Sequence, residues 1–280
     1  MNHTESDVAA RYQRDGFVFP LDIMSPDEAA ELRADLEEAE ARYANDPKKL
    51  ALVRGYPARL LPSFARMVRH PKMVAAAQAA LGPDVLLWGS GHFIKEANTP
   101  SFVSWHQDLT YWGLDRTDET TVWLALSPAT TESGCMRFVP GSHREQIVPH
   151  KDSFAADNLL SRGQEMQVEV DESEAVDVVL QPGQASLHHG HLFHASGPNR
   201  TADRRIGAAI RYIAPSMQGR SGPETECMLI SGEDRYGHFT LVDPPTERLS
   251  DAAFAAVAAD EARRSRILYD GAEKTGRRTA

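Results

Sequence analysis

Cysteine is nearly absent: Cys135 and Cys227 are the only two in 280 residues. Two thiols cannot build the multi-bridge framework of a small secreted scaffold, so a chain folded around a core in a reducing, cytoplasmic setting is expected. Long apolar runs are missing as well. The most apolar stretch, Ala252–Ala259, has eight residues, far below the ~20 that span hydrocarbon. The opening MNHTESDVAARYQRDG has neither an apolar signal core nor a cationic amphipathic pattern, and no stable membrane association is expected. Positive charge is in deficit, with 30 Lys and Arg against 40 Asp and Glu and a formal net charge of −10. That balance opposes attraction to phosphate backbones and removes nucleic acid as an expected partner, while leaving room for one local basic pocket for a small anion. Neither GxGxxG nor GxxxxGK(S/T) occurs, so the usual signatures of dinucleotide and P-loop sites are lacking.

What is present is an ordinary globular composition, 41% hydrophobic and 25% charged, in a chain long enough to bury one sizeable core. A single domain over 1–280 is expected, with a helical N-terminal region and a flexible tail from about 271 to 280. Ser25, Pro26 and Glu28 spell a capping box with proline at the first helical position. The helix they open runs to about Tyr43, with Ala29, Leu32, Leu36 and Ala39 as its apolar stripe. Further helices are expected over Pro71–Leu81 and Asp251–Ile267. The segment 45–62 reads as less regular and as a cover for an active site. After Gly82 the pattern changes to short strands: Leu86–Lys95, Phe102–Trp105, Thr120–Ser127, Cys135–Val139, Glu165–Val170, Gln184–His189 and Ile206–Ile213, parted by turn signals. The expected class is mainly β with flanking helices, an antiparallel barrel or sandwich in preference to a doubly wound sheet.

Three features carry chemistry. His106-Gln107-Asp108 places an imidazole and a carboxylate two residues apart, on one face if the segment is a strand. Four of the eleven histidines, His188, His189, His191 and His194, fall within one short run. Two imidazoles and a carboxylate make the face that suits non-haem Fe(II) and leaves positions open for dioxygen. Zinc uses the same side chains, so composition alone leaves the metal open. Arg205, at the entrance to the apolar RIGAAIRYIA, offers a planar fork for a carboxylate; by charge alone Arg204 is an equal candidate.

Taken in order, SWHQD, VWLAL, ESGCMRFVPGSH and LHHGHLFHASGPN-x5-R resemble the phytanoyl-CoA dioxygenase family, strongly from about Leu86 to Pro215. The resemblance implies a double-stranded β-helix, jelly-roll or cupin-like, and an Fe(II)- and 2-oxoglutarate-dependent dioxygenase with dioxygen as cosubstrate. It implies His106, Asp108 and His194 as iron ligands, with His189 a second histidine near the site. Arg205 would bind the distal carboxylate of 2-oxoglutarate, Ser196 would add a hydrogen bond, Trp123 would pack beside the cosubstrate, and Lys95 would lie near the pocket. PGSH reads as a turn, with His143 no ligand. Asp108 stands where related halogenases have Ala or Gly, which favours hydroxylation over halogenation. A small or medium-sized metabolite is the expected substrate. Trp105, Leu109, Tyr111, Trp112 and Leu114 are candidates for its apolar lining, and His92, Asn98 and Gln107 for polar contacts. Desaturation, cyclisation or epimerisation by the same cofactors, and a noncatalytic metal- or ligand-binding role, are the alternatives.

Overall fold

The computed structural model describes residues 5–110, 112–220, 222, 225–270 and 272. The expected tail, apart from Ala272, and Tyr111 lie outside the described residues. Helix α1 (Glu5–Asp15) leads into strand β1 (Phe17–Asp22). The capping box then forms as read: Glu28 N–H donates to Ser25 Oγ, and Ser25 N–H donates to the Glu28 carboxylate at 2.8 Å, opening α2 (Pro26–Arg42).

The segment read as irregular is instead helical. Helices α3 (Pro47–Gly55), α4 (Pro57–Leu60), α5 (Pro62–Met67) and α6 (Pro71–Leu81) each begin on a proline. At the first helical position the missing N–H costs nothing and the fixed φ suits the turn. Prolines that look like breaks in the sequence are therefore helix starts.

The strands follow: β2 (Val85–Lys95), β3 (Val103–His106), β4 (Glu119–Ala125), β5 (Met136–Phe138), β6 (His150–Asp152), β7 (Gln164–Met166), β8 (Val176–Val178), β9 (Gln184–His189), β10 (His194–Ser196), β11 (Arg205–Ile213), β12 (Glu226–Ser231) and β13 (Thr240–Leu241), before helix α7 (Asp251–Leu268). One sheet has seven strands in the order β1-β9-β4-β11-β2-β12-β13, and a second has four in the order β3-β10-β5-β8; β6 and β7 pair separately. All of these pairs are antiparallel except β12 with β13. The architecture is mainly β with flanking helices, the cupin-like double-stranded β-helix.

Strand alternation decides what each face of the large sheet does. On β11, Ile206, Ala208, Ile210 and Tyr212 join Leu36, Phe64, Met73 and Ala77 of the helices in one buried cluster. Each large apolar side chain buried there contributes roughly 1.5–3 kcal/mol. The intervening residues, Arg205, Gly207, Ala209 and Arg211, lie on the other face, and Ala209 packs with Met136 and Phe138 of the small sheet. Polar side chains held between the two sheets form the site.

Candidate active site

His106 closes β3 and His194 opens β10, and the two are directly opposite each other in the antiparallel pair. Asp108 does not continue the strand. It begins a short 3-10 turn, Asp108–Thr110, which swings its carboxylate back toward the two imidazoles. The convergence expected from strand pleating is thus produced by the strand's end. His106 Nε2 lies 3.4 Å and His194 Nε2 3.9 Å from Asp108 Oδ1, and the two ring centroids are 4.0 Å apart. One ligand atom from each of the three residues falls within 4.8 Å of the others.

The far side of each ring is held by backbone. His106 Nδ1 faces Ser104 O at 2.8 Å and His194 Nδ1 faces Leu192 O at 2.9 Å. A carbonyl can only accept, so Nδ1 carries the proton and Nε2 keeps its lone pair for a metal. Burial, reinforced by the neighbouring His106, pushes His194 well below the usual histidine range. Burial opposes ionisation of Asp108, but the adjacent imidazoles of His106, His188 and His194 outweigh it and hold the carboxyl well below its ordinary value. A neutral His194 and an ionised Asp108, with Nε2 of His106 facing the same point, suit a divalent metal.

The second histidine near this face is His188, not His189. His188 Nε2 lies 3.8 Å from Asp108 Oδ2, and Thr121 Oγ1 lies 3.5 Å from the same oxygen. The reason is parity: Thr121 and His188 are cross-strand partners of β4 and β9, and both point between the sheets. His189 therefore points the other way, toward Tyr12 and His143. Gly141 takes a left-handed φ of 78° ahead of the turn Ser142–Arg144, so PGSH is a turn as read. Thr121 and Glu119 carry no motif and escape a reading of the sequence. Glu119 is fully buried, and burial together with the Asp108 charge pushes its carboxyl well above the usual range.

Arg205 lies 1% exposed in the cavity that also contains His106, Asp108 and His194. Its guanidinium stands 5.2 Å from the Trp123 ring centroid, its Nε has no hydrogen-bond partner, and no carboxylate of the described residues acts on its charge. Burial lowers it to about 10. Gly207 makes this packing possible, since a Cβ there would come within 1.8 Å of the Trp123 ring. Arg204 faces away and binds Glu40 at 2.9 Å and Glu96 at 2.9 Å, joining α2 to the end of β2. Ser196 lines the Arg205 cavity. Lys95 does not: its Nζ is spent on Ser196 Oγ at 2.6 Å, Gly134 O at 3.2 Å and Gly197 O. Burial, and then the charge of Arg205, push Lys95 down to about 5. Its place is behind Ser196.

A larger cleft opens on the same metal face, between β2, β11, the loop after β3 and helix α7. Trp112 and Leu114 line it, as do Gly55 and Tyr56 from the segment expected to cover the site. Other candidates for substrate contact lie elsewhere. Trp105 Nε1 donates to Glu172 at 3.2 Å on the outer side, and Leu109 packs against Gly190. His92 faces the helices, with Nδ1 3.2 Å from Arg54 O and its ring edge-on to Phe64. Asn98 sits at an exposed turn with φ 51°. Gln107 touches the cleft, but its amide is used by His191 O, Gln146 O and Val148 N. Arg211 reaches both cavities.

Residues 12–207 match the family model for phytanoyl-CoA dioxygenase (PhyH). The chain is 27% identical over 173 residues to the "probable alpha-ketoglutarate-dependent hypophosphite dioxygenase" of Stutzerimonas stutzeri, covering 59% of this chain and 59% of that protein. It is 26% identical over 223 residues to the ectoine dioxygenase of Nocardia farcinica, covering 70% of this chain and 73% of the relative. Among solved structures, the non-heme monooxygenase ThoJ in its apo form superposes with a TM-score of 0.85 at 33% identity, covering 94% of this chain and 98% of that one.

Proposed function

We propose that this chain, which belongs to the phytanoyl-CoA dioxygenase family, is an Fe(II)- and 2-oxoglutarate-dependent dioxygenase that hydroxylates a C–H bond of a small or medium-sized metabolite. The observation that carries the reading is the pairing of a buried two-histidine, one-carboxylate face with a buried, unpaired guanidinium in one cavity. The donor set suits ferrous iron because three protein ligands leave open positions for a chelating cosubstrate and for dioxygen. His106, Asp108 and His194 would hold the ion. Bound there, it supplies the oxidative decarboxylation of 2-oxoglutarate to succinate and carbon dioxide and the oxidation of the substrate C–H bond.

The protein's own part is positioning. Arg205 fixes the C5 carboxylate of 2-oxoglutarate through its fork, with Trp123 holding the plane of the guanidinium and Ser196 adding a hydrogen bond. Lys95 sets the Ser196 hydroxyl from behind. His188 and Thr121 orient Asp108 through Oδ2, fixing which carboxylate oxygen is offered to the metal. The two sheets exclude water from the reacting atoms. A cytoplasmic setting is part of the reading, supported by two buried cysteines that form no disulfide; among the described residues no helix is long and apolar enough to cross a membrane.

The test is turnover with Fe(II), 2-oxoglutarate and dioxygen across a metabolite panel, reading succinate and product mass together. Hydroxylation adds one oxygen to the product. A product that has lost two hydrogens, or an isomer of unchanged mass, would replace hydroxylation with desaturation or epimerisation. A protein that binds metal and cosubstrate yet forms no succinate with any panel member would favour the noncatalytic role.

A further inference from the structure

Beside the metal face lies a buried carboxyl, Glu119, that the chemistry above does not use. We propose that Glu119 is a positioning residue for the metal's carboxylate: as an uncharged acid it donates to Thr121 Oγ1, the Thr121 hydroxyl donates to Asp108 Oδ2, and Oδ1 is left for the metal. The assignment rests on the reading of His106, Asp108 and His194 as the metal face. It adds a relay that holds one of the three ligands.

Placement comes from β4. Glu119 and Thr121 are two apart on one strand, so both side chains point between the sheets, where His188 stands opposite Thr121. Thr121 Oγ1 lies 2.9 Å from Glu119 Oε1 and 3.5 Å from Asp108 Oδ2. Asp108 Oδ1 faces the other way, 3.4 Å from His106 Nε2 and 3.9 Å from His194 Nε2. The two oxygens of Asp108 thus have separate duties, one toward the ligand nitrogens and one toward Thr121 and His188.

Counting protons fixes the direction of the chain. The Thr121 hydroxyl has one proton to give and faces an oxygen of each carboxyl. Were both carboxyls ionised, its lone pairs would face whichever carboxylate it did not serve. One more proton removes the conflict. Asp108, surrounded by three imidazoles, is the ionised member, so Glu119 carries that proton. The surroundings agree. Glu119 is fully buried and its Oε2 has no hydrogen-bond partner, which a carbonyl oxygen tolerates far better than half of a carboxylate does. Burial and then the Asp108 charge favour the acid, against weaker pulls from Thr121, Arg211 and the Gly190 backbone.

The backbone makes room for this carboxyl. Gly190 follows β9, and a Cβ there would run into Glu119 Oε2 and Leu109 Cγ. Leu109 N–H donates to Gly190 O at 3.2 Å, tying the end of β9 to the turn that carries Asp108. Tyr12 of α1 donates to the Glu119 carbonyl at 3.2 Å and fixes the start of β4. Neither backbone contact needs a carboxyl on residue 119. A leucine would fill similar space without burying a polar group, so the acid is explained by what it does through Thr121.

Infrared spectra and Fe(II) binding test the assignment. An un-ionised carboxyl has a carbonyl stretch above the carboxylate bands; at neutral pH the metal-free protein should show one that Glu119→Gln removes. Gln keeps an N–H donor toward Thr121, so this variant should bind Fe(II) within about twofold of the parent in anaerobic competition with a chelator. Thr121→Val removes the relay but keeps the side-chain shape, and should weaken Fe(II) by about 10- to 100-fold. Glu119→Leu should weaken it by about 3- to 10-fold, the worth of one neutral hydrogen bond. That smaller loss should shrink to within about twofold in the Thr121→Val background, because Glu119 acts through the hydroxyl. The infrared comparison and Thr121→Val decide the matter even if Glu119→Leu does not fold. Loss of carboxylate absorption alone in Glu119→Gln, or a fall in its Fe(II) affinity as large as that of Thr121→Val, would overturn the proposal. So would unchanged affinity in Thr121→Val or Glu119→Leu, or a Glu119→Leu loss that persists without the hydroxyl. Failure of the unmodified protein to bind Fe(II) would instead overturn the metal-face reading, and the infrared comparison, which needs no metal, would still decide whether Glu119 carries the proton.

Discussion

Replacing Arg205 with lysine keeps the charge and removes the fork. The side chain is 1% exposed, its guanidinium 5.2 Å from the Trp123 ring centroid and without a carboxylate partner among the described residues. Water cannot substitute for a lost donor in such a place. A hydrogen bond to a charged group contributes about 1.5–3 kcal/mol, and a factor of ten in affinity is about 1.4 kcal/mol. Losing one of the two parallel bonds should therefore weaken 2-oxoglutarate by roughly 10- to 150-fold. Arg204→Lys, next in sequence but bound to Glu40 and Glu96 on the outer side, should change it by less than about twofold. Anaerobic titration of the Fe(II)-loaded protein with 2-oxoglutarate gives both numbers without any knowledge of the prime substrate. A further consequence concerns stability. A buried cation without a counter-ion is costly, so Arg205→Met should melt higher than the parent without cosubstrate and lose the stabilisation that 2-oxoglutarate gives the parent. If Arg204→Lys weakens binding and Arg205→Lys does not, the reasoning from burial and strand register is wrong.

Other perturbations follow from the same geometry. His188→Ala, which removes a partner of Asp108, should lower Fe(II) affinity by about 10- to 100-fold, whereas His189→Ala, on the opposite strand face, should leave it unchanged; competition with a chelator separates them. Gly207→Ala drives a Cβ into the Trp123 ring and should cost about 1–3 kcal/mol by overpacking, or more, read from the denaturant midpoint, together with loss of 2-oxoglutarate binding. Burial holds His92 down to about 4. The folded protein keeps His92 neutral while the unfolded chain takes up a proton below about pH 6.5. Stability is therefore complete above that pH and falls as the pH drops toward 4, by up to about 3 kcal/mol from this one group. His92→Gln should flatten that part of the stability curve, and an unchanged acid dependence would show that His92 is not its source.

Much of this was legible from residue patterns, for identifiable reasons. The Ser25 capping box, the helix Pro71–Leu81 and the strand Gln184–His189 are set by local chemistry, and each forms where the pattern places it. Helices α3 to α5 are hidden because their prolines are read as breaks, although each occupies a first-turn position. Strand β1 is hidden because Pro20 interrupts its alternation, and the pairing with β9 shifts register between Val18 and Leu21. Within the site, spacing brings out His106, Asp108 and His194. Choosing between His188 and His189 needs the strand parity, which depends on the pairing of β9 with β4. The pairing of Arg211 with Gly89 across β11 and β2 is legible only in three dimensions.

The central claim is that His106, Asp108 and His194 bind the iron to which 2-oxoglutarate attaches. Anaerobic addition of Fe(II) and then 2-oxoglutarate, followed through the weak visible charge-transfer band of the chelate, tests it most directly, with His194→Ala and His189→Ala measured alongside. The account predicts that the unmodified protein and His189→Ala develop the band to saturation at one iron per chain. It predicts that folded His194→Ala does not develop it. A band of full intensity in His194→Ala, or none in the unmodified protein, would contradict it.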